Sequence, residues 1–171
     1  MSEDDFDRAR VYNNIANCYM DLRDWEESER YLLRSLDKKV SGGDTAGQAT
    51  TYANLAKLYF ARGDQPRGIA AAQKAVELFA DLSNWYELGQ AQRTLACIHG
   101  DGPAAQTALQ AAIDAFTRAK AERERSDAQA QLERISKSRA TPRRRIAGAV
   151  AVLVVLLVLS VLVSVCYALS G

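Results

Sequence analysis

His99 is the only histidine of the 171-residue chain, and the three cysteines lie far apart at positions 18, 97 and 166. A metal site needs several imidazole, thiolate or carboxylate ligands converging on one point, and a catalytic base needs a reacting group within hydrogen-bond reach. No residue is spaced to partner His99 in either role. Cys18 and Cys97 have no paired histidine and read as small buried thiols. The cysteines form no CxxC pair and no disulfide framework, which fits a reducing compartment. No phosphate loop, nucleophile elbow or metal-ligand spacing occurs. The expectation is a non-catalytic protein that uses no cofactor.

Charge and apolar content narrow the class further. The 22 Lys and Arg include the triplet Arg143, Arg144 and Arg145; without it, the 21 Asp and Glu outnumber the bases by two. Nucleic-acid binding favours a clearly basic face, so this near-neutral balance argues against it. The run Ile146 to Leu169 carries no charge in 24 residues. As a helix it spans roughly 36 Å, enough to cross a bilayer core with some tilt. The arginine triplet then marks the cytoplasmic flank of a transmembrane helix over 146–169. Ala147/Ala151 and Ser160/Ser164 form small-xxx-small pairs that allow close packing of two such spans. The chain opens with an acidic Met-Ser-Glu-Asp-Asp and no apolar leader, so the expected protein is tail-anchored, with its N-terminal part in the cytoplasm. Its expected membrane is the bacterial inner membrane or the endoplasmic reticulum.

The residues before the span are organised by a 40-residue repeat. YNNIANCYMDLRD from Tyr12 recurs as YANLAKLYFARGD from Tyr52 and, more loosely, as QRTLACIHGDGP from Gln92. Ala16, Ala56 and Ala96 align, as do Tyr19, Tyr59 and His99, which makes His99 a packing residue. A fixed period of this size signals stacked units, none able to bury its apolar face alone. Each unit reads as two helices. Ala9, Tyr12, Ile15, Ala16, Tyr19 and Leu22 share one helical face, and Ala49, Tyr52, Leu55, Ala56, Tyr59 and Phe60 repeat it. Trp25 to Lys39 forms the second helix of the first unit, with Lys38 and Lys39 complementing its dipole. Pro66 suits the first turn of the corresponding helix in the second unit. Gly100-Asp101-Gly102-Pro103 ends the fifth helix early. The expected fold is all-α: helical hairpins over 7–139 (repeats about 9–44, 49–84 and 89–120, then a capping helix 122–139), a basic linker 140–145, and the span 146–169.

The pattern A-x-x-Y-x-N-[IL]-A-x-x-Y-x-x-x-x-D, carried by Ala9 to Asp24 and Ala49 to Asp64, resembles the tetratricopeptide repeat. The 40-residue period is similar to the subgroup found in kinesin light chains, spindle-orientation adaptors and bacterial regulators. The resemblance implies a right-handed superhelix whose first helices line a groove for extended peptides. It places Asn13, Asn17 and Asp21, then Thr50, Asn54 and Lys57, then Gln90 and Arg93 on that groove. Asparagine amides can donate to and accept from a peptide backbone, and Lys57 and Arg93 can pair with carboxylates. Some relatives grip a chaperone's C-terminal carboxylate with two lysines, an arginine and two asparagines. Here Asn17 and Asn54 occupy the asparagine positions, but Asn13, Gln90 and Thr94 stand where bases belong, so the clamp is incomplete. The implied protein is a membrane-anchored adaptor that holds a cytoplasmic partner. The alternative is a scaffold or regulatory subunit that self-associates, its motive being the small core of barely three repeats. On the adaptor reading, replacing Asn17 and Asn54 by Ala abolishes partner capture in a crosslinking pull-down and leaves the fold intact.

Overall fold

The computed structural model describes residues 3–138, so the expected membrane span and its arginine flank lie outside the described residues. Those residues form seven helices and no strand: α1 Glu3–Asp21, α2 Trp25–Ser41, α3 Thr45–Arg62, α4 Gln65–Asp81, α5 Trp85–His99, α6 Pro103–Arg118, and α7 over residues 122–138. Contacts run α1 to α2, α3 to α4 and α5 to α6 as three hairpins, and α2 to α3 and α4 to α5 join each hairpin to the next. The first helices α1, α3 and α5 also touch in succession. The described residues up to Leu132 form one compact unit, and those from Glu133 to Ser138 belong to a second. No described helix is long and apolar enough to cross a membrane.

The turns are written into the sequence at intervals of 20. Asp24, Asp44, Asp64 and Asn84 each cap the following helix, accepting from the backbone N–H three residues on. Such caps satisfy donors that the first helical turn leaves free, at roughly 1 kcal/mol each. The residue before each cap, Arg23, Gly43, Gly63 or Ser83, has a left-handed backbone, which closes the preceding helix. The third hairpin breaks the interval. Gly100 and Gly102 turn the chain early, so Pro103 stands 37 residues after Pro66, and Phe116 stands 37 after Phe79. The expected early stop of α5 is present, at His99.

Within hairpins the helices meet at small residues. Ala9, Ala16, Ala49, Ala56 and Ala96 are fully or almost fully buried on the first helices. Ser28 and Ser35 face Ala16 and Ala9 from α2. Their hydroxyls donate to the Ala16 and Ala9 carbonyls at 2.9 and 2.7 Å, which satisfies otherwise costly buried polar groups. At the same positions α4 uses Gly68 and Ala75 and α6 uses Ala105 and Ala112, all buried. Gly89, where the other units carry Ala, is required by Phe116: a Cβ there would lie 2.6 Å from the phenyl ring.

Several expected core positions are not core. Leu22 is 75% exposed because α1 ends at Asp21 and Leu22 falls in the turn. Phe60 is half-exposed, one residue past the buried Tyr59 on the helix surface. Cys18 and Cys97 are exposed rather than buried. Lys38 and Lys39 stand in the last turn of α2 as expected, but Lys39 is buried there, only 6% exposed.

The junction between the first two hairpins is tied by a charged cluster. The Glu29 carboxylate on α2 accepts from the Tyr59 hydroxyl at 2.9 Å, from Arg62 at 3.2 Å and from Arg67. The Arg67 guanidinium lies 4.1 Å over the Tyr59 ring and donates to its oxygen at 2.6 Å. Burial, reinforced by the bond to Glu29, pushes the Tyr59 phenol up to about 12. The unfolded phenol ionises near 10, so the unfolded chain loses this proton first. The contribution is complete below pH 10 and is lost between about pH 10 and 12. Urea unfolding midpoints measured across this range should fall with pH for the natural chain and fall less for Tyr59→Phe.

Candidate functional site

The face presented by α1, α3 and α5 carries two pockets in equivalent positions, each between successive first helices. Four turns of helix on each side supply side chains at 40-residue intervals, so residues 10, 50 and 90 align, as do 13, 53 and 93. The first pocket, of about 280 Å3, is lined by Phe6, Arg10 and Asn13 of α1 and by Ala46, Gly47 and Thr50 of α3. Lys39 and Asp44 contribute from the turn side. The second, of about 260 Å3, lies between Ala53 and Lys57 of α3 and Tyr86, Glu87, Gln90 and Thr94 of α5.

Five of the eight candidate groove residues meet at these pockets or beside them. Asn13 and Thr50 line the first; Lys57 and Gln90 line the second. Asn54 lies between them, but its amide is spent: it is only 9% exposed, and Nδ2 donates to Asn13 Oδ1 at 3.1 Å. This amide pair bridges α3 and α1 and acts as structure more than as a free ligand group. The double replacement of Asn17 and Asn54 therefore does not leave the packing untouched, and it is a poor probe of binding. Asn17 and Arg93 are half-buried and Asp21 is exposed. None of these three, nor Lys57, forms a hydrogen bond or ion pair among the described residues. Thr50 donates to Ala46 O at 3.0 Å and Gln90 Nε2 to the Tyr86 hydroxyl at 3.2 Å, so each keeps acceptor capacity.

Lys39 was the residue the spacing argument passed over. Its side chain lines the first pocket, and its Nζ donates to the Oγ1 of the fully buried Thr51 at 2.8 Å. The Thr51 hydroxyl in turn donates to Gly47 O at 3.0 Å. Burial lowers the Lys39 ammonium below the usual lysine range, and the pull of Asp44 in the other direction is smaller. The register held the clue: the aligned positions are Phe79 and Phe116, both buried core residues.

His99 is half-buried at the end of α5. No group of three or more metal-binding side chains occurs among the described residues. The site offers hydrogen-bonding groups, Lys57 on its second half and apolar side chains.

The chain's resemblances agree with this geometry. Residues 7–81 match the family Tetratricopeptide repeat. No curated protein sequence matches the chain. The structure is similar to the N-terminal domain of stress-induced protein-1 (STI-1) from C. elegans, with a TM-score of 0.56 and 18% identity over 79% of this chain and 99% of that one. It is also similar to BtubC (BKLC) from P. vanneervenii, with a TM-score of 0.53 and 26% identity over 70% of this chain. The match takes in only 47% of BtubC, so this chain spans about half of that protein.

If the two amides act as packing groups, Asn54→Ala should lower unfolding free energy by about 1–2 kcal/mol by stranding the half-buried Asn13 amide. Lys57→Ala, on the exposed rim, should change it by less than about 0.5 kcal/mol; denaturant titration separates the two. Residues 7–81 thus match the tetratricopeptide repeat, and the described fold is a helical solenoid of that type.

Proposed function

We propose that this protein is a non-catalytic adaptor that binds a peptide segment of a cytoplasmic partner on the α1–α3–α5 face and holds it at a membrane through residues 146–169. Domains of this repeat type generally mediate protein–protein interaction. The observation that carries the reading is the pair of pockets in register, lined by Asn13, Thr50, Lys57 and Gln90, with Lys57 unengaged among the described residues. An extended peptide advances about 3.3 Å per residue and presents side chains alternately, so it can fill successive pockets while its backbone meets the polar groups between them. The apolar run and its arginine flank supply the anchor and its orientation, in a bacterial inner membrane or the endoplasmic reticulum. The 40-residue period supports membership of the long-period subgroup of these repeats.

A second reading, self-association, has its own support. Val11 and Cys18 occupy the positions of Thr51 and Leu58, which are buried where the second hairpin meets the first. Among the described residues nothing covers them on α1, and both are exposed.

Crosslinking in native membranes distinguishes the readings. The full chain should capture a partner that is lost in a Lys57→Glu/Arg93→Glu double variant, since reversing two cations on one face repels an acidic segment. Recovery of the protein alone, unchanged by the substitutions, would establish the self-associating form. In alkaline carbonate extraction the full chain should stay with the membrane pellet, and its release to the supernatant would rule out the anchor.

A further inference from the structure

The chain leaves the solenoid at one particular end. Glu124 on α7 accepts from the Tyr86 hydroxyl at 3.3 Å near the start of α5, and Gln131 Nε2 donates to Cys97 Sγ at 3.7 Å near its end. Over this stretch α7 runs beside α5 in the same sense, and the first compact unit finishes at Leu132, one residue past the contact with Cys97. That end of the unit is built from the turns α1–α2, α3–α4 and α5–α6. They lie side by side: Arg62 at the close of α3 joins residues 22–26 around one hollow, and Gln65 Nε2 donates to Ile98 O at 2.8 Å. Thirteen residues, 133–145, separate Leu132 from the uncharged run that begins at Ile146. Residues 133–138 continue α7, so at full stretch this tether reaches about 33 Å.

The same end carries what a lipid interface takes up. Leu22, in the first turn, is 75% exposed, and Phe60 is 49% exposed. Two hollows adjoin them. One, of about 450 Å3, is lined by Leu22, Arg23, Trp25 and Arg62 together with the acids Asp24 and Glu26. The other, of about 250 Å3, is lined by Phe60, Gly63, Gln65 and Ile98. Of the three turns, two place a glycine at positive φ, Gly63 and Gly100, while the first places Arg23 there, at a φ of 60°. Glycine adopts this region without strain and arginine does not, so the turn alone would be better served by glycine. The Arg23 side chain has no hydrogen bond or ion pair among the described residues. Asp24 is held as the cap of α2, accepting from the Glu27 N–H at 3.2 Å, and Arg62 donates to Glu29 at 3.2 Å. An indole beside apolar tips and guanidinium groups suits headgroup depth. Val40 and Leu82 are exposed at the opposite end, but the tether leaves from this one.

We propose that this end of the solenoid rests on the lipid surface, with Leu22 and Phe60 entering the interface and Arg23 and Arg62 meeting lipid phosphates. The inference rests on the reading of residues 146–169 as a membrane anchor. Two arginines against two acids give the larger hollow no net charge, so the contact draws on insertion and local hydrogen bonds more than on attraction to anionic lipid. Alone it is a weak surface. A tether this short holds it beside the bilayer at an effective concentration on the order of millimolar, which keeps a weak contact occupied. With the turns facing the bilayer, α1 to α6 stand upright on it. α5 has 15 residues, so Trp85 at its start lies about 22 Å above the turns.

The chain's two tryptophans report on the two ends, Trp25 beside Leu22 and Trp85 at the start of α5. The test reconstitutes the full chain into phosphatidylcholine vesicles that contain lipid with a nitroxide on its headgroup. The Trp25 emission is read in Trp85→Phe, and the Trp85 emission as the difference from the intact chain. Trp25 should be quenched about threefold more than Trp85, given the helix length between them. Adding Leu22→Asp/Phe60→Asp should bring Trp25 quenching down to the Trp85 level, while the chain still floats with the vesicles and keeps its melting temperature, because both side chains are exposed. Equal quenching of the two tryptophans in a chain that floats would leave the anchor standing and overturn the lipid-facing end. Trp25 quenching unchanged by the aspartates would overturn it as well, since the tether alone would then account for the proximity. A chain that fails to float would overturn the anchor reading and this inference together.

Discussion

Close approach of two helix backbones at a few small residues is the constraint on which this structure depends. Ala9 and Ala16 on α1 lie under Ser35 and Ser28 of α2, and the serine hydroxyls bond to the alanine carbonyls. No larger side chain fits between helices this near. The later hairpins meet the same demand with Gly68, Ala75, Ala105 and Ala112. Once the backbones are held so close, the larger residues are pushed to the flanks of each hairpin. There Leu32 and Leu58 fill the space between the first two hairpins, and Phe79 the space beside Ala49 and Ala91. The stacking of hairpins, and with it the spacing of α1, α3 and α5, follows from that sorting of small and large.

The architecture was legible because two independent periods coincide. Small residues recur with the repeat, and capping Asp or Asn side chains recur at half its length, at Asp24, Asp44, Asp64 and Asn84. Each hairpin therefore has both its ends and its contact face marked. The third hairpin was harder to place because its shortened turn moves α6 by three residues, so alignment at the full period pairs the wrong positions. Leu22 and Phe60 misled for a simpler reason. Each extends an apolar stripe by one position, and periodicity has no term for the helix stopping or for the next residue turning outward.

The site was less legible than the fold. A repeat alignment says which side of a helix a residue occupies, and it placed Asn13, Thr50, Lys57 and Gln90 beside two pockets. It does not say whether a polar group on that side is already engaged. Asn54 is, through Asn13 on the neighbouring helix, 41 residues away in sequence. Lys39 was obscured by the opposite effect. A lysine in the last turn of a helix is so well explained by the helix dipole that its buried position shows only when Phe79 and Phe116 are set beside it. Both cases involve partners on a different helix, which no reading of a single helix can supply.

The exchange of phenylalanine for lysine at one junction also bears on how the solenoid comes apart. In a stacked array each unit is stabilised by its own hairpin and by its nearest neighbours. The junction between α4 and α5 contains the Phe79 ring, while the one between α2 and α3 contains the buried Lys39 amine and the surface cluster around Glu29. Partial opening follows the weakest contact, and proteins release such cooperative segments well below the free energy of global unfolding. The first hairpin should therefore open before the rest of the array.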